Sequence, residues 1–196
     1  KSLTEEEKDT MLKKADTYNE KLKDVNRPFL NYAEAGDYNS ILDISGTGIM
    51  GYVTIEKLGV ELPIYHGTSE GVLQVAAGHL EGSSLPVGGE GTHSVLSAHR
   101  GLPSARLFTN LDKMEAGDTF TVTVLDRKLT YQVDQIKIVE PQEINNLIIF
   151  ELEEKLSKMS RHEDYTKSKM APTEEEREEY RQKYLDNVGM HRDFRW

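Results

Sequence analysis

The 196 residues contain no cysteine. This excludes a disulfide framework, a thiolate metal site and a thiol nucleophile within them, and it leaves the redox compartment unreported. No run of about 18 or more apolar residues occurs, so no segment reads as a membrane-spanning helix, and the residues from Lys1 onward carry no signal-peptide pattern. A chain relieved of a leader or an anchor reads the same way, so composition alone assigns no compartment. Positive charge is scarce: 24 Lys and Arg stand against 34 Asp and Glu, a formal net charge of -10. A protein whose affinity comes from neutralising phosphates has the opposite balance, and nucleic acid is not an expected partner. No internal repeat at solenoid spacing is present.

What the chain does contain is one core's worth of apolar residues with a polar surplus. Hydrophobic residues make up 37% and charged residues 30%, which predicts one globular domain with the excess charge on exposed helices or tails. Residues 1–25 carry a helix: Thr4 and Glu7 form a capping box, and Met11, Ala15, Tyr18, Leu22 and Val25 recur at helical spacing. The segment 26–42 follows. Its part Asn26 to Asn39, NRPFLNYAEAGDYN, has no clear period and reads as a loop that packs aromatics.

From Ile49 to about Val139 the pattern changes to short β-branched runs separated by glycine and proline: IMGYVTI, VELPIYHG, HSVLSAH, DTFTVTVL and LTYQVDQIKIVE. This spacing predicts a small antiparallel or mixed β-barrel or sandwich over 43–143. Gly117-Asp118 before FTVTV and Asp126-Arg127-Lys128 after it predict a hairpin, with Phe120, Val122 and Val124 on one face and Tyr131 and Val133 on the partner strand. Residues 144–196 read as a helical tail. INNLIIFELEEKLSKMS fits a helix better than a strand. TEEEREEYRQKYLDN is a strong helix, capped by Thr173 and Glu176, with a thin apolar face of Tyr180, Tyr184 and Val188.

His99 is the residue placed for chemistry. It follows the apolar run Ser94 to Ala98 and precedes Arg100, Gly101 and Pro103, where a strand opens into a loop and a side chain meets solvent. An imidazole there exchanges protons near neutral pH, although a strand-end histidine capping backbone groups is the more ordinary occupant of such a place. His66, His79 and His93 lie 13, 14 and 6 residues apart up to His99, which fits no zinc motif. The acidic runs Glu5 to Glu7 and Glu174 to Glu179 lack the ligand alternation of a calcium loop and read as solvated helix faces. No metal and no cofactor is expected. Ser97 and Ser104 lie near His99 but neither occupies a nucleophile elbow.

Three dense motifs change the weight on His99: YHGTS at 65–69, GHLEGSSLPVGG at 78–89 and SAHRGLPSARLFTNLDKM at 97–114. Together they resemble the class C sortases, the pilin-polymerising kind, over about Asp43 to Pro141. The resemblance implies an eight-stranded β-barrel, mainly β overall, with an N-terminal helix and with His99 as the catalytic histidine. In that family a cysteine thiolate attacks the threonine carbonyl of an LPxTG-like sorting signal, the histidine serves the leaving amide, and an arginine holds the substrate or the oxyanion. The cysteine ends a strand of TLxTC type.

After Pro141 the chain departs from that pattern. Neither TLxTC nor any cysteine follows, and an active-site Cys→Ala change would have kept the flank. The expectation is an incomplete barrel lacking the Cys- and Arg-bearing strands, with a helical tail in their place. Arg100 does not fill the gap, because the family's functional arginine belongs to one of those strands. Class C sortases also cover their site with a lid bearing an Asp-Pro-aromatic motif; the loop Asn26 to Asn39 offers only Arg27-Pro28-Phe29. The resemblance implies a pilin or LPxTG-bearing surface protein as partner, at the outer face of a Gram-positive cell membrane or wall, with an anchor outside these residues. Two functions are expected: a sortase-family transpeptidase inactive for want of its thiol, or a pseudo-sortase that binds or assembles pilin or a partner chain. A barrel short of strands predicts oligomerisation through its edge or its helical tail.

Overall fold

The structure is a computed structural model describing residues 3–101, 107–140, 161, 162, 164–188 and 190. It divides into two units, Lys1–Lys137 and Ile138–Trp196, each described by itself. The expectation for 144–160 lies outside the described residues.

Helix α1 spans Glu5–Lys23. Its start is set by the capping box: the Glu7 amide donates to Thr4 Oγ1 at 3.2 Å and the Thr4 amide donates to Glu7 Oε2 at 2.7 Å. Glu5 to Glu7 sit at the positive end of the helix dipole and Lys21 and Lys23 at the negative end. The spacing of Ala15, Tyr18, Asn19 and Leu22 puts all four on one face, and all four are buried. The segment that follows is more ordered than a loop. It forms the short helix α2 (Pro28–Asn31) and two 3-10 turns, Tyr32–Glu34 and Tyr38–Ser40, and sends Tyr38 into the core.

Six strands make one sheet: β1 (Ile49–Ile55), β2 (Val60–His66), β3 (Ala77–His79), β4 (Leu96–Ser97), β5 (Thr119–Val124) and β6 (Arg127–Gln132). Their order is β4-β3-β2-β1-β5-β6 and the sheet curls into a half-barrel. All pairings are antiparallel except β2 with β3, so of the antiparallel or mixed arrangements expected from the sequence the mixed one forms. A helix α3 (Glu70–Leu73) supplies the crossover between β2 and β3. Met50, Val53 and Ile55 on β1, Ile64 on β2, and Val122 and Val124 on β5 face a core completed by Tyr18 and Leu22 of α1. Burying each large side chain contributes about 1.5–3 kcal/mol.

The β5–β6 hairpin turns earlier than its sequence suggests. Leu125 and Asp126 make the turn, while Arg127 and Lys128 already pair with Val124 and Thr123. Phe120 lies opposite Tyr131 with ring centroids 5.3 Å apart. The run LTYQVDQIKIVE yields a strand only as far as Gln132; Val133 adds two last backbone bonds to Gly117 and Asp118. At the other edge HSVLSAH gives only Leu96–Ser97 as strand.

In the second unit, helical backbone occupies 164–170 and helix α4 spans Glu174–Asn187, capped by Thr173 and Glu176. Tyr184 packs on Tyr165 at 5.4 Å, and Lys167 and Lys183 lie over the Tyr180 ring. Leu185 of this helix is buried, and Val188, expected on the apolar face, is exposed.

A buried polar clamp ties α1 to the irregular segment around Leu85. Asn19 Nδ2 donates to the Leu85 carbonyl at 3.1 Å, and the Leu85 amide donates to Asn19 Oδ1 at 2.7 Å, both buried. Asn19→Ala strands the buried Leu85 amide and leaves the Leu85 carbonyl with the Val87 amide as its donor, and we expect a loss of about 1–3 kcal/mol of unfolding free energy in urea. A loss under about 0.5 kcal/mol would show that the clamp is dispensable.

Candidate functional site

His99 stands two residues beyond β4. Antiparallel pairing of Gly78 with Ser97 and His79 with Leu96 fixes the strand's direction. The His99 carbonyl accepts from the Phe108 amide at 3.2 Å and the Gly101 amide donates to Thr109 Oγ1, so the chain turns immediately after the histidine. Gly101 takes φ +80°, a conformation that suits glycine. The His99 side chain is 35% exposed, and its Nε2 lies 3.4 Å from Glu70 Oε1 at the start of α3. Arg100 is exposed and directed to Asp112 at 3.3 Å. Two adjacent residues thus meet two carboxylates from different elements. Ser97 is exposed, and Ser104 lies outside the described residues.

A second histidine nearby in the sheet has no contact with solvent: it lies on β3, paired with Leu96 of the strand that leads to His99. His79 is wholly buried in β3. Its Nε2–H donates to the Ser84 carbonyl at 2.8 Å, and because a carbonyl only accepts, that bond fixes the tautomer. Nδ1 then accepts from the Tyr38 hydroxyl at 2.9 Å, and the same hydroxyl accepts the Gly67 amide at 3.1 Å. The Tyr38 and His79 rings stack at 5.7 Å. Burial drives the His79 pKa down to about 4; the Ser84 bond opposes this and the neighbouring His66 adds to it. Burial likewise raises the Tyr38 phenol above its ordinary range. Both groups are neutral at pH 7.

His66 pairs in register with His79 across the parallel β2–β3 contact, and its ring nitrogens face the carbonyls of Gly48 at 2.9 Å and Ile41 at 2.7 Å. His93 contributes backbone bonds to Ser84. These ring nitrogens of His66 and His79 are taken up by protein groups. Among the described residues no three acidic, histidine or cysteine side chains stand together as metal ligands.

The segment corresponding to the expected lid is held at two points, on His79 and on Gly82. Its distal end is anchored by Tyr38. Its proximal end presses on Gly82, where an added Cβ would come within 2.5 Å of Phe29 Cα and 2.7 Å of the Pro28 carbonyl oxygen. With φ +85° as well, position 82 admits only glycine without displacing Pro28–Phe29. Phe29 is half-buried, and the next residue, Leu30, is 74% exposed.

Against known families, the sortase domain matches residues 53–176. The chain belongs to the sortase family. The match runs past Pro141, beyond the motifs that carry the class C resemblance. Among solved structures, sortase C1 from Streptococcus agalactiae is similar at 48% identity and TM-score 0.65, over 74% of this chain and 76% of that one. Sortase C of Streptococcus pneumoniae, a structure described for its catalysis and pilin substrate specificity, is similar at 45% identity and TM-score 0.62, over 74% and 73%. Sortase D of Bacillus subtilis is 29% identical over 106 residues. The chain spans about half the length of this curated relative, 54% of the one matching 50% of the other.

The sequence singles out His99 but gives no sign of its carboxylate neighbour Glu70 or of the Tyr38–His79 hydrogen bond. For the latter it shows only an aromatic cluster in an aperiodic segment. Glu70 had no signal, being one acidic residue 29 positions from its partner.

The His79 environment has a consequence for stability. In the unfolded chain this imidazole takes a proton near pH 6.5, and in the folded chain only near 4. Between those values the unfolded state holds the extra proton, so stability falls as pH falls, by about 3 kcal/mol in all, and is unaffected by this group above 6.5 or below 4. We expect the His79 ring nitrogens to report the neutral Nε2–H tautomer by 15N NMR at pH 5.5, with the unfolding free energy dropping from pH 6.5 to 4.5. A charged His79 at pH 5.5 contradicts this.

Proposed function

We propose that the chain is a pilus-assembly sortase scaffold. In this reading His99 occupies the acid–base position that serves the leaving amide when an LPxTG-like sorting signal is joined to a pilin lysine. The observation that carries it is the half-exposed imidazole at the mouth of β4, within a sheet that belongs to the sortase family. A histidine in that place protonates the amine as the threonine–glycine bond breaks. The partner is a pilin or another LPxTG-bearing surface protein, met at the outer face of a Gram-positive cell membrane or wall.

The acyl step itself needs a thiolate, which adds to the threonine carbonyl and forms the thioester while the amide leaves. These 196 residues have none. The reading is therefore that this chain alone holds a sorting signal without cleaving it. A second reading is favoured by the same absence: a pseudo-sortase that binds or assembles pilin or a partner chain and has no acyl-transfer role at all.

The test is an LPxTG peptide offered to the chain with hydroxylamine as acceptor. Binding is expected as shifts in the His99 ring resonances, with no peptide hydroxamate formed. Hydroxamate above the peptide-only control overturns the inactive reading, and absence of binding overturns the scaffold reading.

A further inference from the structure

We infer that Glu70 is the positioning residue for His99: its carboxylate engages Nε2 of the ring and holds the imidazole in one orientation, leaving Nδ1 as the nitrogen not held by it. The inference rests on the reading of His99 as the acid–base group and concerns how that group is kept in place.

Three observations carry it. The first is the contact itself, 3.4 Å between Glu70 Oε1 and His99 Nε2, made across 29 residues of sequence by two elements that both lean on β3. The second is that Glu70 is held from its other side. Gln74 Nε2 donates to the same Oε1 at 3.1 Å, one helical turn on, so the carboxylate is oriented before the histidine meets it. The third is that the turn bearing Glu70 is fixed to the strand next to His99. The amides of Val72 and Leu73 both close on the Ser69 carbonyl, and the Leu73 side chain lies within van der Waals reach of Gly78, whose partner across the ladder is Ser97.

A side chain on a loop beyond a two-residue strand has little of its own to set its rotamer, and a half-exposed imidazole samples several. A carboxylate placed by a neighbouring helix selects one of them. The competing cation does not disturb the pair, because Arg100 is directed to Asp112. The Glu70 carboxyl is held below the usual carboxylate range, by the Gln74 amide first and by His99 second, so it is ionised at neutral pH. The pair is exposed, with 71% of the Glu70 side chain in solvent, and contributes little to global stability. Its effect is on geometry.

The measurement is of ring orientation in the intact chain, by three-bond couplings across χ1 of His99 in 13C,15N-histidine-labelled protein, assigned by loss of the signal in His99→Gln. The wild type should show one rotamer, Glu70→Ala should show averaged couplings, and Glu70→Gln, which keeps an oxygen acceptor, should retain most of the preference. In parallel the Glu70 carboxyl 13C signal should titrate at higher pH in His99→Gln and in Gln74→Ala than in the wild type. Exposure makes Glu70→Ala a mild change, and its amide spectrum away from 69–74 and 96–101 serves as the folding control. Couplings already averaged in the wild type, couplings unaltered by Glu70→Ala, or a Glu70 midpoint unmoved by His99→Gln each overturn the inference. None of these readouts depends on peptide: a chain that fixes His99 through Glu70 yet binds no sorting signal refutes the scaffold reading alone.

Discussion

The buried stretch Gly82 to Val87 is the constraint on which the rest of the first unit depends. It passes through the core without belonging to a strand, with Leu85 and Val87 at 0% and 1% exposure. Backbone polar groups placed there have no ladder to satisfy them, and each one left unpaired costs about 1–3 kcal/mol. The solution is distributed. The Ser84 carbonyl accepts from His79, the Ser84 amide donates to the His93 carbonyl, and both groups of Leu85 meet Asn19. The Val87 carbonyl accepts from Arg127 at 2.9 Å, and Pro86 has no amide to satisfy. Helix α1, strands β3 and β6 and the approach to β4 are therefore all committed to one irregular segment. The motif GHLEGSSLPVGG follows from this: small residues where backbones approach, hydroxyls where ladder partners are missing, and apolar side chains for the space between.

The same network reaches the site. From Tyr38 the hydrogen bonds pass to His79, from His79 to Ser84, and from the neighbouring Ser83 hydroxyl to the Val95 amide, four residues before His99. Ser83 Oγ donates to the Leu80 carbonyl at 2.7 Å, which frees its lone pairs to receive that amide. The strand that delivers His99 is thus tied down on its buried side by groups that are neutral and satisfied. His79 is neutral here because its complete burial penalises the charged ring. Arg127 closes the opposite side. Its guanidinium forks onto Asp16 of α1 at 2.7 and 3.0 Å, which raises its already high pKa and pins the β5–β6 hairpin to the helix.

Much of this architecture was legible where an element has a period. β1, β2 and β5 alternate apolar and polar over six or seven residues, and α1 and α4 announce their starts with capping boxes. β3 was not legible, because three wholly buried residues, Ala77, Gly78 and His79, carry neither alternation nor β-branching. β4 and β6 were read too long for a related reason. Strand-like composition continues through HSVLSAH and past Gln132, but pairing partners do not, and a strand is defined by its partners. Of the candidate site, the placement of His99 where a strand gives way to a turn was legible from the change of character at the end of an apolar run. Glu70 was not, because an exposed acidic residue acquires meaning only from what folding brings beside it. Tyr38 lay between, visible as one aromatic in a segment whose anchoring role appears only when His79 is buried beneath it.

His99 and Arg100 together suggest an acid–base group with an adjacent cation, which is two thirds of a transpeptidase site. The geometry separates the two. An oxyanion is stabilised by donors that are preorganised and not already spent on another anion. Arg100 is spent on Asp112, and the charge beside the imidazole is negative, from Glu70. The electrophile-stabilising and nucleophilic parts of acyl transfer are separate requirements, and neither follows from having the histidine in place. In this chain the backbone leading to His99 is held by the residues that satisfy the buried segment, through the Val95 amide on Ser83 Oγ, so the histidine's position rests on structural demands that make no reference to a thiolate.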